Sequence, residues 1–457
     1  MSETADKISS STVTENGPTG RTLTIEIPAD VVDERINDAF GALRSEAALP
    51  GFRKGHAPRQ LLEKRFGENV RDETKGQLVS SAYSEAVEEH GLKVVGNPIA
   101  NQIEDLTLEP GKPVTLTIEV EIVPEFELPE LTGIEVKRPT LEVTDEMVQQ
   151  EVEKYCLAEG DLEEREVAEP GDYLTGKGVM TAGDETVHDI DGAVVQLPSG
   201  KDEGMILGVL VNDLAKQLGS PKAGDELTVT ATGPENHETE AVRNAELTIT
   251  FRVDAVSRII PVEPSAIAER SGRENEAALR QAVRDQLEQR IGADQAGLVR
   301  QQIAAHLLKS VDFELPKRLS AQQAQSVFER RRLELMHRGV EPQEIEENIA
   351  QLRSASASVA LRELKLLFIL SKVAEIKDVS VSEAEINGAI VAMARRRGER
   401  PEALRQQLIQ NRQVNAIYQQ LMEHKALDAI AADAKVEDLS SDEWNEYAKS
   451  LSDDGSA

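Results

Sequence analysis

The residues best suited to bind a charged partner lie in one short stretch, Pro50-Gly51-Phe52-Arg53-Lys54-Gly55-His56-Ala57-Pro58. Two glycines and two prolines within nine residues do not fit a helix interior or a central strand, so the stretch is predicted to be an exposed loop. The cations of this region are Arg53, Lys54, Arg59, Lys64 and Arg65. The whole chain has a formal net charge of −32, so a locally basic loop indicates docking on a polyanion, with RNA as the main candidate. The alternative is an ordinary surface turn in which Phe52 is a half-buried anchor.

Other residue types that carry chemistry are scattered. The seven histidines are isolated, and no Cys/His cluster has the spacing of a zinc site. The sequence contains neither a phosphate-binding Gly-Lys-Ser/Thr loop nor a Gly-x-Ser-x-Gly elbow. We therefore expect no metal, no nucleotide and no other cofactor, and an ATP-driven or hydrolytic mechanism has no residues to carry it. The single cysteine, Cys156, excludes an intramolecular disulfide and is interpreted as a small buried hydrophobic residue.

Length predicts a protein of several domains, and composition predicts that it lies in a reducing compartment. A chain of 457 residues is expected to form two to four domains. Residues 1–20 are polar and lack the basic and apolar regions of a secretory signal, and no apolar run is long enough to cross a bilayer. The expectation is a cytoplasmic protein with no membrane partner, whose first 20 residues form a disordered tail.

Hydrophobic periodicity predicts an α+β domain over residues 21–123. Apolar residues alternate with polar ones from Leu23 to Ile27 and again from Val114 to Ile122, which indicates two half-buried strands. Helices are expected on both sides of the basic loop, the second beginning at Pro58 and ending at Gly67, before a further, longer helix. A linker is expected over 124–168, with Thr144 as the cap of a helix.

The remaining chain changes character twice. Glycine and proline are frequent over residues 169–258, and alternation through 227–231 and 247–253 predicts a small β-rich domain. Residues 259–435 are predicted to be helical, with one helix running from Glu402 to Leu427, and 436–457 to be an acidic, disordered tail. The predicted fold class is therefore α+β multidomain: an α+β domain, a β-rich domain and an all-α C-terminal domain.

The loop also carries a family pattern. Gly-Phe-Arg-x-Gly-x-x-Pro stands intact at Gly51, Phe52, Arg53, Gly55 and Pro58, and it resembles the ribosome-binding signature of trigger factor, a bacterial chaperone family. The order of parts follows that family over about residues 21–435. The resemblance implies an ATP-independent chaperone for nascent and unfolded polypeptides, with roles in folding, export and cell division. It implies that these five residues and Lys54 bind the ribosome, at large-subunit RNA and protein near the exit tunnel.

Residues 169–258 resemble the prolyl isomerase domain of FKBP type that trigger factors contain. The pocket positions implied by the resemblance are Gly178, Ile206, Val209, His237 and Phe251, and no catalytic residue is assigned. Ile206-Leu207-Gly208-Val209 stands where the family has Ile-Pro-Gly-Phe, and Gly178 and His237 stand where it has aromatic residues. The domain is then either a scaffold with a filled or shallow pocket or an active isomerase. The loss of aromatic residues from the pocket predicts weak isomerase activity.

Two features of the helical part have two interpretations each. Its apolar stripes are either packed core or surfaces for client chains. The run Arg395-Arg396-Arg397 is either a second nucleic-acid contact or a solvated helix end. Alternative functions for the whole chain are a cytosolic prolyl isomerase acting on unfolded proteins and a periplasmic chaperone of similar helical build.

Overall fold

The computed structural model describes residues 9–46, 52–53, 55–100, 106–109, 111–183, 185–199, 202–234, 242–338, 340, 342–411 and 413–453, with side chains to residue 449. The chain divides into two compact units. Unit 1 combines Met1–Pro139 with Ala296–Ala457, and unit 2 is Thr140–Gln295.

The N-terminal part of unit 1 is an antiparallel sheet with two helices. Its elements are β1 (Ser10–Glu15), β2 (Gly20–Ile27), α1 (Ala29–Glu46), α2 (Arg59–Glu89), β3 (Val94–Ile99), β4 (Val114–Ile122) and β5 (Glu135–Pro139). The four-stranded sheet has the order β1-β2-β4-β3, with Leu23 paired to Ile118. Alternate residues of β2 and β4 are buried against α1 and α2, which confirms the two predicted strands.

Two predictions for this part are wrong. Residues 1–20 are not wholly a disordered tail, because β1, from Ser10 to Glu15, pairs antiparallel with the edge of β2. The N–H and C=O groups along this edge form the backbone hydrogen bonds that order the polar segment. A helix does not end at Gly67, because α2 continues through it. Leu62 and Val70, on either side of Gly67, are buried in one core, and their burial exceeds the cost of about 1 kcal/mol for a helical glycine.

Unit 2 contains the β-rich domain and a small helical layer. Its strands are β6 (Asp161–Arg165), β7 (Tyr173–Ala182), β8 (Glu185–Gln196), β9 (Gly204–Ile206), β10 (Val209–Val211), β11 (Glu226–Thr232) and β12 (Glu246–Ile260). Its helices are α3 (Asp145–Ala158), α4 (Leu214–Leu218), α5 (Pro264–Arg270) and the first part of α6 (Glu276–Ser310), which contains the unit boundary.

The sheet of unit 2 has the order β11-β12-β7-β8, with β6 also on β12. Leu227 to Ala231 pair with Phe251 to Leu247, so both predicted alternating segments are strands. Thr144 caps α3, since its hydroxyl accepts from the Met147 N–H at 3.3 Å. Cys156 is buried with α5 and α6, as predicted, and this burial raises the pKa of its thiol, with nearby carboxylates such as Glu263 adding to the shift.

The C-terminal part of unit 1 is helical, and with it the predicted fold class is confirmed. Its helices after α6 are α7 (Lys317–His337), α8 (Pro342–Glu347), α9 (Ile349–Ile376), α10 (Glu383–Arg397), α11 (Pro401–Gln410) and α12 (Val414–Ala431). The end of α9 is buried against α6 and α12. The prediction of one helix from Glu402 to Leu427 is wrong. Leu408 and Ile417 bury in one small core with Ile390, so the chain must turn between them, and the Gln413 N–H donates to the Leu408 carbonyl at 2.8 Å.

The predicted tail over residues 436–457 is also wrong for 436–453. Residues Lys435–Leu439 form β13, which pairs parallel to β5, and Ser441–Asp453 form α13. The Arg138 guanidinium donates to both oxygens of Asp438, at 2.7 and 3.0 Å. Ser440 and Glu443 hydrogen-bond each other's backbone in a capping box at the start of α13.

Candidate functional site

The basic loop joins α1 to α2. Phe52 exposes 42% of its surface and Arg53 is also exposed, whereas Ala57 exposes only 1%. Ala57 therefore anchors the loop to the core, and Phe52 does not. Gly51 and Lys54 lie outside the described residues.

Local backbone geometry explains the glycine and proline positions of the loop. Gly55 has φ of +85°, a conformation that residues with a Cβ rarely adopt. It lies within the turn that the His56 N–H closes by donating to the Arg53 carbonyl at 2.9 Å. Pro58 precedes α2 with φ of −63°, and its carbonyl accepts from the Leu61 N–H at 3.0 Å. Gly55 and Pro58 thus set the path of the chain around Phe52 and Arg53.

The cations near the loop differ in whether their side chains have ion-pair and hydrogen-bond partners. Arg59 donates to Glu63 at 2.7 Å and to Asn37 at 2.6 Å, and its guanidinium lies 5.6 Å from the centre of the Phe40 ring. Arg53 has no ion-pair partner among the described residues. Arg59 therefore braces α2 against α1, and Arg53 offers its guanidinium to solvent.

The positions predicted for the isomerase pocket, where the structure describes them, are part of the core of unit 2. Ile206, Val209 and Phe251 have no exposed surface, and Phe251 pairs with Gly178 across β12 and β7. A Cβ built on Gly178 would lie 2.9 Å from both methyl carbons of Leu207, so Leu207 fills the space over this glycine. The prediction for His237 falls outside the described residues.

The helical part of unit 1 exposes several large apolar side chains. The most exposed are Leu333, Met336, Leu361, Ile376, Ile409 and Tyr418, at 40 to 60% of their surface. Most of the other apolar residues of these helices are buried, as the packed-core interpretation predicts. Binding of client chains by the exposed residues stays a prediction. Arg395, Arg396 and Arg397 are exposed in the last turn of α10, before Gly398 with φ of +67°. This position is the solvated helix end of the second interpretation.

Sequence reasoning missed an aromatic cluster in unit 1. Phe313 stacks on Phe126 with ring centres 4.3 Å apart, and it meets the edge of Phe368 at 6.5 Å. These rings come from three distant segments, so no periodicity in the sequence signals the cluster. Across the described ranges, no group of His, Cys, Asp and Glu could hold a metal ion. Within the same ranges, every helix is too short or too polar to cross a membrane.

The fold and these surfaces define a modular protein with an exposed basic loop, a β-rich domain and a helical part with exposed apolar residues. Residues 9–155 match the family model described as bacterial trigger factor protein, and residues 277–432 match the model of its C-terminus. A trigger factor from Opitutus terrae is 29% identical over 437 residues, which cover 92% of this chain and 96% of that protein.

Two further proteins are similar to this chain. A trigger factor from Corynebacterium aurimucosum is 28% identical over 460 residues, covering 96% of this chain and 94% of the relative. A solved structure of the trigger factor chaperone, at 17% identity and a TM-score of 0.45, covers 92% of this chain and 98% of its own. The chain belongs to the bacterial trigger factor family. It is a chaperone that associates with ribosomes and binds nascent polypeptides.

Proposed function

We propose that the loop between α1 and α2 docks this chaperone on the large ribosomal subunit near the exit tunnel, in the cytoplasm. The residues assigned to this contact with ribosomal RNA and protein are Gly51, Phe52, Arg53, Lys54, Gly55 and Pro58. The observation that supports the proposal best is the pairing of an exposed Phe52 with an Arg53 that has no ion-pair partner among the described residues.

Electrostatics would confine the contact to this loop. The chain has a net charge of −32, so most of its surface repels RNA, and an unpaired guanidinium can bind a phosphate through two parallel hydrogen bonds. Each cation–phosphate contact releases counterions, so two such contacts, from Arg53 and Lys54, give a slope of about −2 in log affinity against log salt. Phe52 would add apolar contact that salt does not weaken.

Cosedimentation with ribosomes tests the docking proposal. The variant Phe52→Ala, Arg53→Ala, Lys54→Ala should lose cosedimentation without a change in melting temperature, because the anchor of the loop is Ala57. The matched control is Arg395→Ala, Arg396→Ala, Ile409→Ala, which also removes two exposed cations and one exposed apolar side chain. Normal binding by the loop variant would overturn the proposal, and loss in the control would move the contact to α10.

The helical part would shield unfolded chains without ATP. Apolar contact contributes about 25 cal/mol per Å² before ordering costs, so scattered aliphatic side chains bind many segments, each weakly and reversibly. The exposed residues of α7, α9 and α11 support this assignment.

The proposed domain boundaries are 124–168 for the linker and 169–258 for the isomerase-like domain. The ribosome-binding domain predicted over 21–123 also includes β1, and the chaperone domain predicted over 259–435 is followed by β13 and α13. In the isomerase-like domain, Leu207 packs over Gly178, the position at which the family pattern has an aromatic residue. This arrangement supports a scaffold role with weak isomerase activity.

A further inference from the structure

A cavity of about 900 Å³ lies within the helical part of unit 1. It is bounded by the end of α6, the segment 311–316, the first turn of α7 and the middle of α9. Its apolar lining consists of Ala305, Leu308, Phe313, Leu315 and Leu361. Leu361 exposes 45% of its surface, so the cavity opens to solvent beside an apolar side chain.

The aromatic residue of this cavity, Phe313, is fixed by contacts with neighbouring side chains. The Phe313 ring is stacked on Phe126 at 4.3 Å and meets the Phe368 edge at 6.5 Å. The Lys365 ammonium lies 5.9 Å from the centre of the same ring. A side chain that enters the cavity therefore meets a preorganised aromatic wall, which lowers the ordering cost of binding.

The charged residues around the cavity are mostly cations. Lys309, Lys317 and Arg362 are exposed and have no ion-pair partner among the described residues, while Lys365 lies 3.7 Å from Asp312. Among the described lining residues, Glu314 carries the only carboxylate. This local excess of positive charge stands on a chain with a net charge of −32.

One polar atom in the wall also lacks a partner. The Ser320 hydroxyl oxygen is buried and makes no hydrogen bond within the described residues. The nearby backbone N–H groups are already satisfied: those of Arg318 and Leu319 donate to Glu121, and that of Ser320 donates to the Pro316 carbonyl. A buried hydroxyl without a partner costs free energy, which a ligand oxygen or N–H would recover only if the wall moves to expose that hydroxyl.

We propose that this cavity binds unfolded segments in which an apolar side chain is flanked by aspartate or glutamate. The inference rests on the proposed chaperone function and names the polypeptide class that this site prefers. The apolar side chain packs against Phe313 and Leu361, and the flanking carboxylates pair with Lys309, Lys317 and Arg362. Apolar contact alone does not distinguish acidic from basic flanking residues, so the cations set the selectivity against basic segments.

The acidic remainder of the protein does not cancel this attraction. At physiological ionic strength the Debye length is about 8 Å, so exposed charges farther away are largely screened. A carboxylate within a few ångströms of Lys309 or Arg362 responds mainly to those cations.

Fluorescence anisotropy with the full chain and three short labelled peptides tests the proposal. One peptide has a Leu-Phe pair flanked by aspartates, the second replaces the aspartates by lysines, and the third keeps the aspartates but replaces Leu-Phe by Ser-Ser. We expect the first peptide to bind about tenfold more tightly than the second, from three exposed ion pairs. The third should not bind measurably.

Two charge-matched variants localise the effect. Lys309→Gln, Lys317→Gln, Arg362→Gln should abolish the tenfold preference, whereas Arg395→Gln, Arg396→Gln, Arg397→Gln should keep it. All six side chains are exposed, so both variants should retain the wild-type melting temperature. Equal affinities for the first two peptides, or equal behaviour of the two variants, would overturn the proposal.

A separate assay distinguishes this failure from failure of the chaperone function. Light scattering of an aggregating client should show protection by the wild type, and this assay reports the chaperone function independently of any peptide preference. Protection without any acidic-peptide preference would reject the site alone. Absence of protection by the wild type would reject the proposed shielding of clients.

Discussion

Glu121 connects the N-terminal sheet of unit 1 to the start of α7, and replacing it by alanine should loosen that start. Its carboxylate lies at the end of β4 and exposes 7% of its surface. It accepts the Arg318 N–H at 2.8 Å and the Leu319 N–H at 2.9 Å. Pro316, which precedes α7, offers no side-chain cap, so Glu121 provides the capping oxygens from a distant part of the chain.

The expected effect follows from these two hydrogen bonds. Each buried N–H left without an acceptor costs about 1 to 3 kcal/mol, and loss of the negative charge at the helix N-terminus adds about 0.5 kcal/mol. Partial access of water reduces the total, so Glu121→Ala should destabilise this contact by about 3 kcal/mol. Glu121→Gln keeps one acceptor and should cost about half as much.

Hydrogen exchange measured by mass spectrometry on peptides that cover 317–321 reads this contact directly. A loss of 3 kcal/mol should speed exchange of the Arg318 and Leu319 amides by about a hundredfold. The matched control is Glu119→Ala, two residues away, whose carboxylate is exposed and lies 3.9 Å from the Arg318 guanidinium. Exchange in Glu121→Ala that equals exchange in Glu119→Ala would refute the capping argument.

Three further predictions concern the isomerase-like domain, its deletion and one buried acid. Deletion of residues 169–258 should leave most ATP-free suppression of client aggregation in light scattering, because the exposed apolar residues lie in the helical part; complete loss would contradict this placement. The domain should isomerise short X-Pro peptides slowly, because Leu207 fills the space over Gly178, and a rate like that of an efficient prolyl isomerase would contradict this. Burial, and to a smaller extent the nearby Glu363, raises the pKa of the Glu423 carboxyl in the folded protein. The protonated carboxyl therefore contributes to the free energy of unfolding. This contribution is complete below the ordinary pKa of glutamate and is lost as the pH rises through the raised pKa. Glu423→Gln should therefore raise the melting temperature at pH 7 and leave it unchanged at acidic pH; an equal gain at both would contradict this.

Local signals were enough for several elements and for the loop. The alternation from Val114 to Ile122 has the period of a strand with one buried face, and it is a strand. Ser382 precedes α10 with Glu385 three residues later, and both side chains cap the helix as this spacing predicts. The loop was predictable because glycine permits the positive φ seen at Gly55 and proline fixes φ at Pro58, and neither residue suits the interior of a regular element.

Contacts between distant segments were not predictable from the sequence. The polar segment after Val436 looks like a solvated tail, but it pairs with β5, and Arg138 and Asp438 are 300 positions apart. The cavity is built from two separate stretches, 305–320 and 361–365, so Lys309 and Arg362 look like ordinary surface charges until the fold brings them together. Likewise, nothing local predicts that Leu207 lies over Gly178.

Photocrosslinking from position 52 tests the central claim most directly. A photoreactive phenylalanine analogue at Phe52 keeps an aromatic ring at the exposed tip, and the same analogue at Tyr418 provides a control at a similarly exposed aromatic position in the helical part. On ribosomes without a nascent chain, we expect position 52 to crosslink to a component of the large subunit near the exit tunnel, and position 418 to give no crosslink. A crosslink from position 418 alone, or none from position 52 while the protein still cosediments, would contradict docking through this loop.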